Sequence, residues 1–106
     1  MDWEAFALVL RGAIRTRVLL ALDQPLMPGD LRKQLKRSYS QVSDVLAFLR
    51  AHGIVTCLND AASKGRLYQR TAEGEAVAME LRLLHDVHPP QEPQVSWKPE
   101  GRLNNV

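Results

Sequence analysis

S-Y-S-Q-V-S-D-V-L-A-F-L-R-A-H-G, from Ser38 to Gly53, is the stretch on which the fold turns. Ser38 and Gln41 match the capping box S-x-x-Q, in which hydroxyl and side-chain amide satisfy each other's otherwise unpaired backbone donors. A helix therefore starts after Ser38. Its apolar positions Val42, Val45, Leu46 and Leu49 fall on one side, which leaves Tyr39, Ser40, Gln41, Ser43 and Asp44 in the exposed first turns. Gly53 follows the last apolar turn and is suited to end the helix.

Upstream, Pro28 suits a first helical turn and Leu31 with Leu35 supplies a small apolar face, so a short helix is expected over residues 28–36. Before it, Asp23 to Gly29 is rich in turn residues, and Gln24 precedes a proline, which favours an extended backbone and room for a short strand. Further back, Trp3, Ala7, Leu10, Ile14, Val18 and Ala21 recur at spacings of four and three, the mark of a helical stripe. Gly12 lies inside this stretch, where glycine costs about 0.8–1 kcal/mol relative to alanine. Two helices with a break at Gly12 are expected.

Downstream, Ile54–Leu58 and Leu67–Thr71 are β-branched and apolar, and the polar loop Asn59–Arg66 between them contains Gly65, so a hairpin is expected. Thr71 can cap a last helix. That helix carries Ala76, Val77, Met79, Leu81, Leu83, Leu84 and Val87 as two adjoining apolar stripes, wider than one partner face requires, which points to cover by another subunit. From Pro89 onward four prolines stand among polar residues with Trp97 as the lone aromatic; the segment reads as a tail, either a disordered terminus or an arm docking through Trp97. The expected organisation is a domain over residues 1–88 and a Pro-rich tail over 89–106. The expected fold class is mainly α with a small β-hairpin wing.

The chain has 106 residues, 45% of them hydrophobic and 25% charged. That suits one globular domain with one core. The longest uncharged apolar runs, Phe6–Leu10 and Val18–Leu22, fall far short of the roughly 20 residues that cross a bilayer, so no membrane partner is expected. Asp2 and Glu4 near the start, without a basic leader region, predict no secretory signal and a cytoplasmic location. The lone Cys57 offers no intrachain disulfide; it reads as a buried small hydrophobe rather than a redox sensor. His85 and His88 are three apart, but no third ligand accompanies them, so no metal and no cofactor are expected. No nucleophile with an adjacent base, phosphate loop or paired carboxylates is evident, which argues against an enzyme.

Charge is unevenly divided. Residues 31–70 hold eight Lys and Arg against Asp44 and Asp60, a balance of +6, while residues 71–106 balance at −3. A basic middle is the electrostatic footprint of a polyanion partner.

Two segments, V-S-D-V-L-A-F-L-R-A-H-G-I-V (Val42–Val55) and C-L-N-D-A-A-S-K-G-R-L-Y-Q-R-T-A-E-G (Cys57–Gly74), resemble the winged helix-turn-helix transcription regulators of prokaryotes, close to the ArsR and MarR types. The resemblance spans roughly residues 5–85, and its most specific part is K-G-R-L-Y followed by T-A-E-G. It implies sequence-specific binding of double-stranded DNA by a homodimer, with the helix after Ser38 in the major groove and the hairpin tip on the flanking backbone or minor groove. Tyr39, Ser40, Gln41 and Ser43 would then read base edges. Their chemistry suits the task, since Gln pairs with adenine and Ser donates or accepts. Lys33, Lys36, Arg37, Lys64 and Arg66 would neutralise phosphates. Trp3, Phe6, Leu10, Leu81 and Leu84 would form the dimer contact, although Trp3 and Phe6 could instead line an effector pocket. No effector is named by the sequence.

Against the resemblance, Asp44 stands where such proteins often carry a basic or neutral residue, and a carboxylate near phosphates is repulsive unless it accepts from cytosine N4; Arg70 stands before the capping Thr71 where they usually have Leu. Either the stem of Arg70 lies along the core with its head in water, or the strand end is repacked. Asp44 and the apolar last helix also suit an alternative reading, a winged helix used as a protein-binding module in a larger assembly.

Overall fold

Asp2 opens the first helix by accepting from the backbone amides of Glu4 and Ala5 at 3.0 and 3.2 Å, so that α1 runs Trp3–Leu10. In the computed structural model, which describes residues 1–87 and side chains as far as Leu84, the chain then breaks at Gly12, and α2 runs Ala13–Ala21. The break frees carbonyls at the end of α1, and α2 supplies donors for them. Thr16 Oγ1 donates to the Val9 carbonyl at 3.1 Å and Arg15 Nη1 to that of Leu8 at 2.8 Å.

The break also resets the helical phase. The stripe expected from Trp3 through Leu10 is not the buried one: α1 buries Ala5 and Val9, while Trp3 and Leu10 are 60% and 42% exposed. One periodicity cannot be carried across a glycine that ends one helix and begins another.

Leu26 pairs with Tyr68 through both backbone hydrogen bonds, 3.0 and 2.9 Å, which realises the short extended segment before the next helix. α3 spans Pro28–Leu35 and α4 Tyr39–Ala51, joined by the three-residue turn Lys36–Ser38. The capping box of α4 forms as expected: the Gln41 amide donates to Ser38 Oγ at 3.1 Å, and the Ser38 amide donates to Gln41 Oε1 at 3.2 Å. Val42, Val45, Leu46 and Leu49 are buried, and Gly53 leaves the helix with φ +72°.

β1 (Val55–Cys57) and β2 (Tyr68–Arg70) form the antiparallel hairpin, with Val55 opposite Arg70 and Cys57 opposite Tyr68. α5 (Ala72–Val87) follows, capped by Thr71, whose Oγ1 accepts from the Gly74 amide at 3.0 Å. The order is that of a winged helix-turn-helix, mainly α with a small β wing. Its core gathers Val9, Leu19, Leu22, Leu31, Leu46, Leu49, Ile54, Val77 and Leu81, drawn from all five helices and the start of the wing. Cys57 is buried, with its Sγ 3.6 Å from Asn59 Oδ1.

Two residues pack closely at the wing root. A Cβ at Gly74 would stand 2.0 Å from the Ile54 carbonyl oxygen, so only glycine lets the first turn of α5 approach this backbone. Beside it, Arg70 resolves the two alternatives in favour of repacking. Its side chain is 3% exposed, Nη1 donates to the Leu19 carbonyl at 3.2 Å, and Nη2 pairs with Glu75 at 3.4 Å. The head is inside, not in water, and Nε has no partner.

Opposite outcomes are expected at these neighbours. Gly74→Ala should cost about 3 kcal/mol, because backbone must move to admit the methyl group. Arg70→Met should raise stability by about 1 kcal/mol, since it removes a desolvated charge while keeping the stem's volume. Glu75 is left in water, and the Leu19 carbonyl keeps the Leu22 amide at 3.2 Å. Chemical denaturation of the two variants checks both signs.

Candidate nucleic-acid interface

The α3–α4 turn places cations where the backbone is least ordinary. Lys36 adopts the left-handed conformation at φ 57°, ψ 47°, a region glycine would occupy more comfortably. This conformation ends α3 and redirects the chain into the Ser38 cap, leaving Lys36 and Arg37 exposed at the head of α4.

The wing is built around Asn59. Its Oδ1 accepts from the Leu67 amide at 2.7 Å and its Nδ2 donates to the Gly65 carbonyl at 3.0 Å, closing the loop from inside. Gly65 turns there with φ +67°. Arg66 is held in the same loop by donating from Nε to the Ala62 carbonyl at 2.8 Å.

A carboxylate not anticipated from sequence joins wing to helix. Asp60 pairs with Arg50 of α4 at 2.9 Å and lies 3.9 Å from Arg66. The hydrogen bond and charge of Arg50 hold the Asp60 carboxyl below its ordinary value, with a smaller contribution from Arg66; the same contact raises Arg50. Arg66 is therefore a partly neutralised cation, whereas Lys64 stands exposed at the tip. The pairing was hidden because nothing in the spacing of residues 50, 60 and 66 shows that the loop folds back on α4.

These elements make one concave face. Lys33 of α3, Tyr39 and Ser43 of α4, and Lys64 and Arg66 of the wing line a single groove of about 530 Å3, floored by Leu46 and Tyr68. Ser43, Arg66 and Tyr68 also line an adjoining depression with Arg50 and Ala47. Tyr39 is 53% exposed and available to solvent.

Two expected readers differ in position. Ser40 lies on the outward side of α4, opposite the buried Val42, Val45, Leu46 and Leu49. Gln41 lies about a quarter turn from Ser40–Asp44, at roughly 100° per residue, and its Oε1 faces Ser38 N and Oγ. The outward side instead includes Asp44 and Ala47, both exposed and neither counted among the expected readers. The spacing of the apolar positions already leaves Asp44 exposed, and carrying the same helical wheel one turn further finds Ala47.

Of the residues expected at a dimer contact, Trp3 and Leu10 are exposed, and Phe6 and Leu84 are half-buried. Trp3 and Phe6 pack edge to face with ring centroids 5.7 Å apart. Leu81 requires correction: it is fully buried in the protomer's own core and presents nothing to a second chain. The middle of the apolar band on α5, Val77, Ala78 and Leu81, is consumed by the other helices, so its width is not all surplus.

Among the described residues, no helix is long and apolar enough to cross a membrane, and no group of three metal-ligating side chains occurs. The His85–His88 pair and the tail from residue 89 lie outside the described side chains.

No family model matches the chain, and no curated protein matches it. Solved structures do. The transcriptional regulator HlyU from Vibrio vulnificus superposes with a TM-score of 0.67 at 27% identity, covering 82% of this chain and 88% of that one. A MarR variant from E. coli, solved in complex with operator DNA, gives 0.63 at 24% identity, covering 80% and 64%. The adhesin competence repressor AdcR from Streptococcus pyogenes gives 0.64 at 20% identity over 72% of this chain, which spans only 58% of AdcR. The fold is that of prokaryotic winged-helix regulators of the MarR and ArsR kind.

The Asp60 pairing makes the wing sensitive to acid. Because its folded pKa is depressed, its stabilising effect is present above the unfolded carboxylate value and is lost as pH falls through the lower folded value. Protection factors across residues 58–67, which take out the slower intrinsic amide exchange in acid, should fall below the ordinary carboxylate range in the natural protein. Asp60→Asn should show the lower protection already at neutral pH, with no further acid step.

Proposed function

We propose that the chain is a cytoplasmic, homodimeric transcription regulator that binds double-stranded DNA in a sequence-specific manner. α4 enters the major groove, about 12 Å wide, and the wing lies on the flanking backbone or minor groove. The observation that carries this reading is the single groove in which cations of α3 and of the wing flank the exposed turns of α4. The HlyU, MarR and AdcR folds support it, and the MarR structure contains operator DNA.

Roles divide by chemistry. Lys33, Lys36, Arg37, Lys64 and Arg66 neutralise phosphates and set register. Tyr39, Ser40, Ser43 and Gln41 contact base edges or the adjoining backbone, Gln41 through the amide nitrogen that the cap leaves free. Residues 1–88 form the DNA-binding domain, and residues 89–106 have no assigned part.

Trp3, Phe6, Leu10 and Leu84 form the contact between two copies, which would set two copies of α4 on half-sites about 34 Å apart. A second reading, a protein-binding module, is favoured by Met79 and Leu83, which are 63% and 53% exposed on α5. A mobility-shift assay at two salt concentrations separates the readings, because only the first requires salt-sensitive duplex binding.

For the wild-type chain, log affinity should fall with log salt at a slope of about −0.9 per phosphate neutralised. Lys33→Ala and Lys64→Ala should each flatten it by about 0.9 on specific and random duplex alike. Fluorescence anisotropy across a salt series measures the slope; a weak, salt-independent interaction would speak for the protein-binding module.

A further inference from the structure

The outward side of α4 carries one charge. With about 100° between successive residues, the buried Val42, Val45, Leu46 and Leu49 define the inward direction, and Ser40, Asp44, Ala47 and Ala51 stand opposite, all exposed. Asp44 is the central acidic member of this stripe. Asp2 and Asp30 hold helix caps and Asp60 holds an ion pair. Asp44 takes part in no ion pair among the described residues.

Asp44 is not among the residues that line the groove with Lys33, Lys64 and Arg66, yet it stands exposed on the outward side of the helix that borders that groove, and a carboxylate there needs a reason. It repels phosphates, and on entering a groove it loses water, which is costly unless hydrogen-bond donors replace it. As an acceptor-only group it can be satisfied in the major groove by an exocyclic amino group. Guanine presents N7 and O6, both acceptors, and thymine presents O4, also an acceptor. Adenine offers N6 but sets the N7 acceptor beside it. Cytosine offers N4 with no acceptor of its own on that edge.

We infer that Asp44 is the specificity-determining residue of this face: its carboxylate accepts from the N4 amino group of one cytosine in each half-site of the duplex. The inference rests on the DNA-binding reading above. Asp44 lowers affinity for every sequence through repulsion and returns it only where cytosine meets the helix, so it acts by penalising wrong sites as much as by rewarding the right one.

Selection of bound duplexes from a randomised library, with the full chain as wild type, Asp44→Asn and Asp44→Ala, tests this. The wild type should prefer cytosine at one half-site position by roughly tenfold over other bases. Asp44→Asn should move that preference to adenine, which offers N6 and N7 to a side-chain amide. Asp44→Ala should abolish it and bind random duplex more tightly than the wild type. Both variants should melt at the wild-type temperature, because the position is exposed. A wild type that selects no duplex overturns the DNA-binding reading together with the inference. A wild type whose selected sequence is unchanged by Asp44→Ala leaves DNA binding standing and overturns the role of Asp44 alone.

Discussion

The close approach of α5 to the Ile54 backbone sets the geometry on which the rest depends. Gly74 brings the helix against the Ile54 carbonyl, and the Thr71 amide donates to that same oxygen at 3.0 Å. The Thr71 hydroxyl reaches the Gly53 carbonyl at 2.6 Å, and the Ile54 amide returns to Leu49 of α4 at 2.9 Å. The end of α4, the root of both strands and the start of α5 are thereby one junction. With the root held and Tyr68 tied to Leu26 ahead of α3, the hairpin has little freedom to swing, so its tip stays across the groove from Lys33. T-A-E-G is thus a packing motif before it is anything else.

The same junction encloses a cation at some expense of stability. Arg70 leaves Nε unpaired in the interior, and its partner Glu75 is 61% exposed, so solvent screens the pair on one side only. What the guanidinium provides is reach. It ties β2 to the last turn of α2 and the first turn of α5. An aliphatic residue would fill the space without bonding either helix. Farther out, Asp60 does comparable work in water, drawing the loop onto α4 through Arg50 at the cost of part of the wing's positive charge.

Elements whose signals are local were legible in the sequence. The S-x-x-Q cap, the Gly12 break, the Thr71 cap and the spacing of Val42 to Leu49 each act within a few residues, and each produces the expected structure. The hairpin appears with strands one residue shorter at each end than expected. What was not legible depends on contacts between distant residues. Leu81 is core because several helices converge on α5, Arg70 is buried because α2 passes over it, and Asp60 is spent on Arg50 because the loop folds back. Gln41 shows a subtler limit: the motif that placed the start of the helix also engages the Oε1 of the side chain expected to read a base, leaving only its amide nitrogen free.

Charge placement along α4 bears on how such a face would search DNA. Between Tyr39 and Ala51 the only ionisable residues of the acidic or basic type are Asp44 and Arg50, and Arg50 is engaged by Asp60. On the DNA-binding reading, sequence-independent attraction therefore comes from the α3–α4 turn and the wing tip, on either side of a helix that attracts phosphate weakly. Contacts of that kind persist while the protein slides, because every position offers the same phosphates. On the same reading, insertion of α4 would be a separate step, opposed by desolvation of Asp44 and favoured only where the base edges satisfy it. If that reading holds, flanking cations would govern residence on any duplex, whereas the acid-centred helix would govern where residence becomes recognition.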